Sequence, residues 1–264
     1  MAKSRIKRKE NERKRHIALK IFLSLILLLS ILVGYAHFVE PNLLTAKDYV
    51  IKSSRITDNF NGFTVIQISD IHYGRMFDKK DLDKLVKRVN EYDPDIIALT
   101  GDLIDKDTKM TKSMASDISN SLSKFEASTG KFAITGNHDY NFDEWETIIK
   151  SSNFLNLNNN YETIYNDGYE QMVIAGVSSM QYDDTSINER TKSVTDYINS
   201  FEKNGPIYNI LLLHEPDFID ELENNKFQLV LSGHTHCGQV KIPFYGPAVL
   251  PPDGEKYSCG HYNL

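Results

Sequence analysis

The feature that most constrains the fold is a set of five polar clusters, each of which directly follows a short apolar run. The apolar runs are rich in β-branched residues and have the length of buried strands. Helical patterns lie between them, as in Leu82, Leu85, Val86 and Val89, which recur with the roughly 3.6-residue period of an amphipathic helix. A repeated order of strand, cluster and helix indicates an α/β fold whose active residues gather at the carboxyl ends of the strands.

The pattern is less regular at the borders of these units. Residues 49–56 are predicted as a strand, and Asn59-Phe60-Asn61-Gly62 as a turn. The Asn-rich stretch 153–160 is predicted as a loop, and Pro216 suits the first turn of a helix.

The five clusters contain oxygen and nitrogen donors and no thiolate. In Gly233-His234-Thr235-His236 the two imidazoles are two residues apart, so both project to the same side of the chain. Taken singly, each cluster has a plain structural interpretation, such as a helix cap or a solvated loop histidine. Five clusters at strand ends favour one shared site, with these candidate residues: Asp70, His72, Asp102, Asn137, His138, His214, His234 and His236.

This set of donors predicts the kind and number of metal ions. Mixed imidazole, amide and carboxylate donors suit Mn, Fe or Zn better than all-oxygen Ca or Mg sites. Eight donors are too many for one ion but suit two, provided that one carboxylate bridges them. Pairs of metal ions about 3.5 to 4 Å apart are a standard device for in-line displacement at phosphorus.

Charge is divided unevenly along the chain, whose formal net charge is -6. Residues 1–20 hold nine Lys/Arg and two Glu, a balance of +7, which leaves -13 for the remainder. So acidic a body is a poor binder of phosphate backbones, and no nucleic-acid partner is expected.

A hydrophobic segment follows the basic residues. Ile21–Ala36 carries no charge, and counted to Val39 the segment has 19 residues, about enough to cross a bilayer. The preceding Lys/Arg residues should stay cytoplasmic, which places the rest of the chain on the outer side of the cell membrane. A signal peptide cleaved near Gly34-Tyr35-Ala36, with export of the mature protein, is the alternative; the run is long for that, so a single-pass anchor is favoured.

The domain boundaries follow from these features. We predict a basic cytoplasmic N-terminus (1–20), a transmembrane anchor (21–39), a linker with a first strand (40–56) and one globular domain that carries the clusters (57–264). The two cysteines, Cys237 and Cys259, make no disulfide framework. Unpaired thiols are expected, and a single bridge stays open if the domain is outside the cell.

The clusters together resemble the calcineurin-like metallophosphoesterase family. The motifs that match are Asp70-Ile71-His72, Gly101-Asp102-Leu103-Ile104-Asp105, Gly136-Asn137-His138-Asp139, His214 and Gly233-His234-Thr235-His236. The chain is most similar to the bacterial membrane-anchored or exported branch, through the hydrophobic N-terminus and the run completed by Cys237-Gly238-Gln239. The resemblance implies a four-layer α/β/β/α sandwich of two mixed sheets. The family usually continues with further strands, so whether residues 57–264 complete the catalytic domain stays open.

The resemblance also implies roles for individual residues. It implies three ligands for one metal ion: Asp70, His72 and His236. It implies three ligands for the other: Asn137, His214 and His234. Asp102 would bridge, and His138 would face the leaving group as a general acid. Asp139, the next residue, is expected to hold the loop.

These roles describe a dinuclear phosphoesterase in which the cations lower the pKa of a bridging water, so that hydroxide attacks phosphorus. Substrates of the branch include phosphodiesters, phosphomonoesters and pyrophosphates of nucleotide-linked lipids, such as UDP-2,3-diacylglucosamine. An anchor fits a lipid-linked or cell-envelope phosphoester. Exposed residues such as Met76 and Phe77 are candidates for a lipid groove, although packing explains them equally well. The alternatives are a non-catalytic metal-binding scaffold of the same fold and a nuclease, which the acidic body disfavours.

Overall fold

The computed structural model describes residues 2–38, 43–75, 77–202, 205, 207–238, 240–242 and 245–264. The chain divides into two compact units, Met1–Ile51 and Lys52–Leu264. Met76, Val39 and Gln239, on which parts of the groove, anchor and motif predictions rest, lie outside the described residues.

The first unit is built on one long helix, α1 (Ala2–Phe38). Within α1, the stretch Lys9–Ala36 is long and apolar enough to cross a membrane, and none of it is buried. This confirms the prediction of one N-terminal candidate transmembrane helix. The strand predicted over 49–56 is wrong, because these residues have no regular pairing and Val50 is 85% exposed. β-Branched residues favour a strand only where a neighbouring strand is available to pair and pack with them.

The second unit begins with a parallel sheet. Its four strands lie in the order of the chain: β1 (Val65–Ile68), β2 (Ile96–Thr100), β3 (Gly130–Ile134) and β4 (Leu155–Asn156). Three helices alternate with them: α2 (Lys79–Asn90), α3 (Lys112–Leu122) and α4 (Glu144–Ser151). Helix α2 begins after Asp78, whose carboxylate accepts the backbone N–H groups of Lys80 and Asp81.

A second sheet follows. Its strands are β5 (Asn160–Tyr165), β6 (Gln171–Val177), β7 (Tyr208–Leu213) and β8 (Leu229–Leu231). The pair β5–β6 is antiparallel and the other pairs are parallel. Helix α5 (Ile187–Phe201) comes between β6 and β7, and a small antiparallel pair follows β8, β9 (Val240–Ile242) with β10 (Gly246–Val249). The predicted loop 153–160 contains β4 and the first residue of β5.

Alternating side chains stack these elements into four layers. In β2, Ile97 and Leu99 pack against α2–α4, whereas Ile96 and Ala98 lie in the core between the two sheets. Strands β6 and β7 alternate in the same way, with their outer residues packed on α5. The predicted α/β fold with two sheets is confirmed. Among the described strands, the first sheet is wholly parallel and only the second is mixed.

Cys237 and Cys259 form a disulfide. The expectation of unpaired thiols is therefore wrong. The cysteines are 22 residues apart in the sequence, and their Cα atoms come within 4.5 Å because the C-terminal segment returns to the loop after β8. The residues around Cys237 and Cys259 contain no local pattern that predicts this contact.

The two sheets approach each other closely at Gly176 of β6. A Cβ atom there would lie 2.5 Å from Cγ2 of Ile134 and 2.6 Å from the carbonyl oxygen of Leu157. Both neighbours are buried in the core between the sheets, so neither has room to move. A side chain at this position would force the layers apart.

We therefore expect Gly176→Val to lower the free energy of unfolding by about 2 to 3 kcal/mol, through overpacking. Gly168→Val is the matched control, because Gly168 is exposed and its nearest neighbour is the flexible end of Glu170. It should change stability by less than about 0.5 kcal/mol. Denaturant unfolding followed by circular dichroism measures both, and equal midpoints would contradict this account of the layer spacing.

Candidate metal centre

The carboxyl ends of five strands meet at one edge of the two sheets, and they carry all eight predicted residues. Asp70 and His72 follow β1, Asp102 follows β2, Asn137 and His138 follow β3, His214 follows β7, and His234 and His236 follow β8. The structure brings every one of them into the same cluster.

The backbone turns sharply at these strand ends. Five of the eight residues have left-handed φ angles between 47° and 69°: Asp70, His72, Asp102, His234 and His236. Such a conformation costs a non-glycine residue about 1 to 2 kcal/mol. Hydrogen bonds between neighbouring loops offset that cost, with Asp70 N donating to Gly101 O at 3.1 Å and His72 N to Asp102 O at 3.0 Å. The loops after β1 and β2 therefore run side by side and present their side chains together.

One group of donors consists of Asp70, His72 and His236. The Nε2 atoms of His72 and His236 are 3.2 Å apart, and Asp70 Oδ1 is 4.0 Å from the first and 3.6 Å from the second. Ligands of a tetrahedral ion with bonds of about 2.1 Å lie about 3.4 Å from one another. These three atoms therefore have the spacing of ligands around one metal ion.

A second group lies beside the first and contains Asp102, Asn137, His214 and His234. Asn137 Oδ1 is 3.2 Å from His214 Nε2 and 3.1 Å from His234 Nδ1, and His214 Nε2 is 3.4 Å from Asp102 Oδ2. The spacing again fits one ion. His214 is fully buried and Asp102 is 2% exposed, so the group lies below the protein surface.

Backbone carbonyl groups orient two of the histidines. The ring of His214 places Nδ1 2.7 Å from Thr100 O, and that of His234 places Nε2 2.8 Å from Pro252 O. A carbonyl oxygen only accepts, so each of these nitrogens donates its proton, and the other ring nitrogen is the one that offers a lone pair when the ring is neutral. In both rings the free nitrogen is the one that faces Asn137. Metal-binding histidines are held in this way, which fixes both tautomer and direction.

Asp102 and His214 form a charged pair in the centre of the site. Burial favours a higher pKa for Asp102, but the hydrogen bond and charge of His214 outweigh it and hold the pKa well below its usual range. For His214, burial alone lowers the pKa, whereas Asp102 raises it well above its ordinary value. The site therefore has a negative potential that attracts cations. In the absence of metal, the proton on His214 is the compensating charge.

His138 lies at the border of the cluster. Its Nε2 atom is 3.9 Å from Asp102 Oδ2, and its Nδ1 accepts the backbone N–H of Lys106 at 3.3 Å. Burial lowers the pKa of His138. Because Nδ1 accepts a hydrogen bond, the ring carries its proton on Nε2, which faces the cluster.

Asp139 ties two loops together. Its carboxylate accepts the N–H groups of Ile104 at 3.1 Å and Gly136 at 2.9 Å, which belong to the loops after β2 and β3. Burial, aided by the charge of Asp102, raises the pKa of Asp139 to about 7. Its contacts are to backbone, which agrees with the expected loop-holding role.

Sequence reasoning missed four residues that contact the site. Asp105 Oδ2 lies 3.7 Å from His72 Nδ1, and Glu215 is fully buried beside His214, where it accepts the N–H of Met180 at 3.0 Å. Asp105 and Glu215 belong to the polar clusters at the strand ends, so their position in the sequence could have identified them as site residues. Thr100 and Pro252 act through backbone carbonyls, and no sequence pattern reveals such a contact.

Comparisons with known proteins agree with this geometry. Residues 63–238 match the calcineurin-like phosphoesterase family. The chain is 34% identical to the metallophosphoesterase YkuE of Bacillus subtilis over 233 residues, which is 87% of this chain and 77% of that protein. It is 25% identical to the phosphodiesterase YaeI of Escherichia coli, covering 86% and 79% of the two chains. It is 28% identical to a transmembrane protein with a metallophosphoesterase domain from Danio rerio, covering 82% of this chain and 49% of that one. The chain therefore belongs to the calcineurin-like phosphoesterase family and is a metal-dependent phosphoesterase.

Proposed function

We propose that this protein is a dinuclear-metal phosphoesterase in which one carboxylate bridges two divalent ions. The observation that supports it is the position of a single atom, Asp102 Oδ2. That oxygen lies 3.6 Å from His72 Nε2 in the first donor group and 3.4 Å from His214 Nε2 in the second. An oxygen between two ligand sets is what a bridging carboxylate requires.

The ligand sets that we propose follow the two groups of donors described above. Asp70, His72 and His236 would hold one ion, Asn137, His214 and His234 would hold the other, and Asp102 would belong to both. Imidazole, amide and carboxylate donors suit Mn, Fe or Zn. When bound, two such ions supply an activated water and neutralise the charge that develops on the phosphoryl oxygens.

The protein's own contribution to leaving-group departure is assigned to His138. Its proton is on Nε2, which faces Asp102, and the N–H of Lys106 occupies the other ring nitrogen. We propose that the ring acts as an acid in its imidazolium form, with a second proton on Nδ1 in place of the hydrogen bond from Lys106. The Nε2 proton then passes to the oxygen of the leaving group as the ester bond breaks, and a neutral imidazole remains.

The substrate that we propose is a phosphodiester or another phosphoester of the cell envelope, lipid-linked substrates among them. The phosphodiesterase name of the Escherichia coli relative supports the diester, and helix α1 supports a location at the membrane. Lys/Arg residues precede the apolar part of α1, and a disulfide forms readily in oxidising compartments; both support a catalytic unit on the outer side of the cell membrane. Such a location argues against a cytosolic nucleotide-linked lipid such as UDP-2,3-diacylglucosamine.

Asp102→Asn tests the bridging carboxylate. We expect hydrolysis of a chromogenic phosphodiester to fall below detection in Mn²⁺, and metal content to fall as well, because the charge shared by both ligand sets is lost. Asp167→Asn is the matched control: its φ of 49° is close to the 51° of Asp102, but it lies exposed in the turn after β5. The full-length chain in detergent serves for all variants. Metal-dependent turnover by Asp102→Asn would contradict the bridging role of Asp102. A folded, metal-loaded wild type without turnover would favour the alternative of a non-catalytic scaffold.

His138→Gln tests the leaving-group role. Metal content should stay near that of the wild type, since the amide replaces a side chain outside both ligand sets. Turnover should fall by about 10²- to 10⁴-fold for esters with poor leaving groups and far less for nitrophenyl esters, which need no proton donor. A plot of log kcat against leaving-group pKa measures this. Equal slowing across the series would rule out proton donation by His138.

Metal binding should release protons. Because Asp102 raises the pKa of His214 above neutrality, His214 is protonated at pH 7 without metal and must lose that proton to become a ligand. Metal affinity is therefore expected to rise with pH between about 6 and 9, with about one proton or more released per chain. Calorimetry of Mn²⁺ binding in two buffers of different ionisation enthalpy counts the protons, and Asp102→Asn should reduce the number. A binding enthalpy that is independent of the buffer would contradict this assignment.

A further inference from the structure

The C-terminal segment 251–259 packs against the loop that carries His234 and His236. Pro252 O accepts the Nε2–H of His234 at 2.8 Å. Two residues later there is no room for a side chain, since a Cβ at Gly254 would lie 2.7 Å from Cγ2 of Thr235. At the far end of the segment, the disulfide joins Cys259 to Cys237, the residue next to His236. The segment therefore touches the histidine loop at three successive points.

One side chain, that of Asp217, holds this segment by its backbone. Asp217 Oδ2 accepts the N–H groups of Glu255 at 2.8 Å and Lys256 at 3.0 Å, and Oδ1 accepts that of Tyr257 at 3.0 Å. The backbone N–H of Asp217 in turn donates to Asp253 O at 3.2 Å. Four of the five residues 253–257 are therefore bound to one aspartate, immediately after the carbonyl group that accepts the proton of His234.

Asp217 also has a fixed relation to the other half of the site. It lies three residues after His214, in the short 3-10 helix Pro216–Glu221 that follows β7. His214 and His234 are the two imidazoles that approach Asn137 Oδ1, at 3.2 and 3.1 Å. The stretch that carries His214 directly thus holds His234 indirectly, through the segment 252–257.

We propose that Asp217 is a positioning residue for His234 that acts through the backbone of residues 252–257. We call the segment 251–259 the brace, and we propose that the Cys237–Cys259 disulfide fixes its other end. The brace presents Pro252 O to Nε2–H and so leaves the lone pair of Nδ1 directed at Asn137. The consequence for metal binding rests on the proposed function, in which His234 is a ligand. Groups that orient a ligand in this way are typically worth about 10- to 100-fold in metal affinity.

The neighbouring Asp220 offers a matched control. Its carboxylate binds the same segment, but only through side chains, the Nζ of Lys256 at 2.6 Å and the hydroxyl of Tyr257 at 2.8 Å. Asp220→Asn therefore removes the same charge from the same 3-10 helix without touching the backbone hydrogen bonds. Asp217→Asn is isosteric too, but it turns an amide NH₂ toward backbone N–H donors that need an acceptor.

The first test needs no metal. Nitrogen NMR of the metal-free, histidine-labelled full chain in detergent micelles reports which nitrogen of His234 carries the proton. We expect the Nε2–H form in the wild type and in Asp220→Asn, and a mixture of tautomers in Asp217→Asn. Unchanged Nε2–H in Asp217→Asn would overturn the proposal. If Asp217→Asn does not fold, Cys237→Ser/Cys259→Ser opens the brace from the other end and is judged by the same criterion.

The second test measures Mn²⁺ affinity by titration. Asp217→Asn should weaken one of the two ions by about 10- to 100-fold and leave the other unchanged, while Asp220→Asn leaves both unchanged. In a His234→Ala background, adding Asp217→Asn should change affinity by less than about twofold, because the residue it positions is gone. An undiminished effect in that background would show a general structural role instead. If the wild type binds no pair of ions, the proposed function fails, while the tautomer measurement still decides whether Asp217 positions His234.

Discussion

The site depends on a buried negative charge, the carboxylate of Asp102, surrounded by imidazoles. Removing such a charge from water costs several kcal/mol unless partners compensate it. Its partners here are the N–H of His138 at 2.9 Å and the ring of His214 at 3.4 Å, and the ring of His72, from the other donor group, lies 3.6 Å away. A centre of this kind is stable only where cations or protons balance it. The electrostatics of the site therefore favour bound cations as much as its ligand types do.

The fold serves this charge by joining two sheets at one edge. The first sheet delivers the carboxylates and the amide, and the second delivers His214 and the two histidines after β8. Neither sheet holds a complete set for two ions. The spacing of the layers, which Gly176 permits, therefore sets the distance between donors that come from opposite halves of the unit. Core packing and the geometry of the donor cluster are coupled for this reason.

The imidazole rings of His214 and His234 are held in fixed orientations. Backbone carbonyl groups at Thr100 and Pro252 select the tautomer of His214 and His234. Thr100 is the last residue of a buried strand, so its carbonyl group is rigidly placed. Pro252 lies in a segment without regular structure, and its rigidity has to come from elsewhere, from Asp217 and the disulfide. Both histidines are thus oriented by a hydrogen bond to a backbone carbonyl group. For His214 that carbonyl group belongs to a buried strand, and for His234 it belongs to an irregular segment.

The sequence by itself determined the α/β class, the order of strands and helices, the apolar N-terminal helix and eight polar residues that the fold brings together at the strand ends. Those properties follow from local periodicity and from the types of residues at strand ends. Both can be recognised from residues that are close together in the sequence. The predictions for the pairing of Cys237 with Cys259 and for a strand over 49–56 were wrong, because both depend on which distant segment of the chain lies beside these residues. Only the tertiary structure decided that one oxygen of Asp102 lies between the two donor groups, which ring nitrogens face it, and that residues 251–259 brace His234. These are contacts between parts of the chain far apart in sequence, and their distances arise from the packing of whole layers rather than from any local pattern.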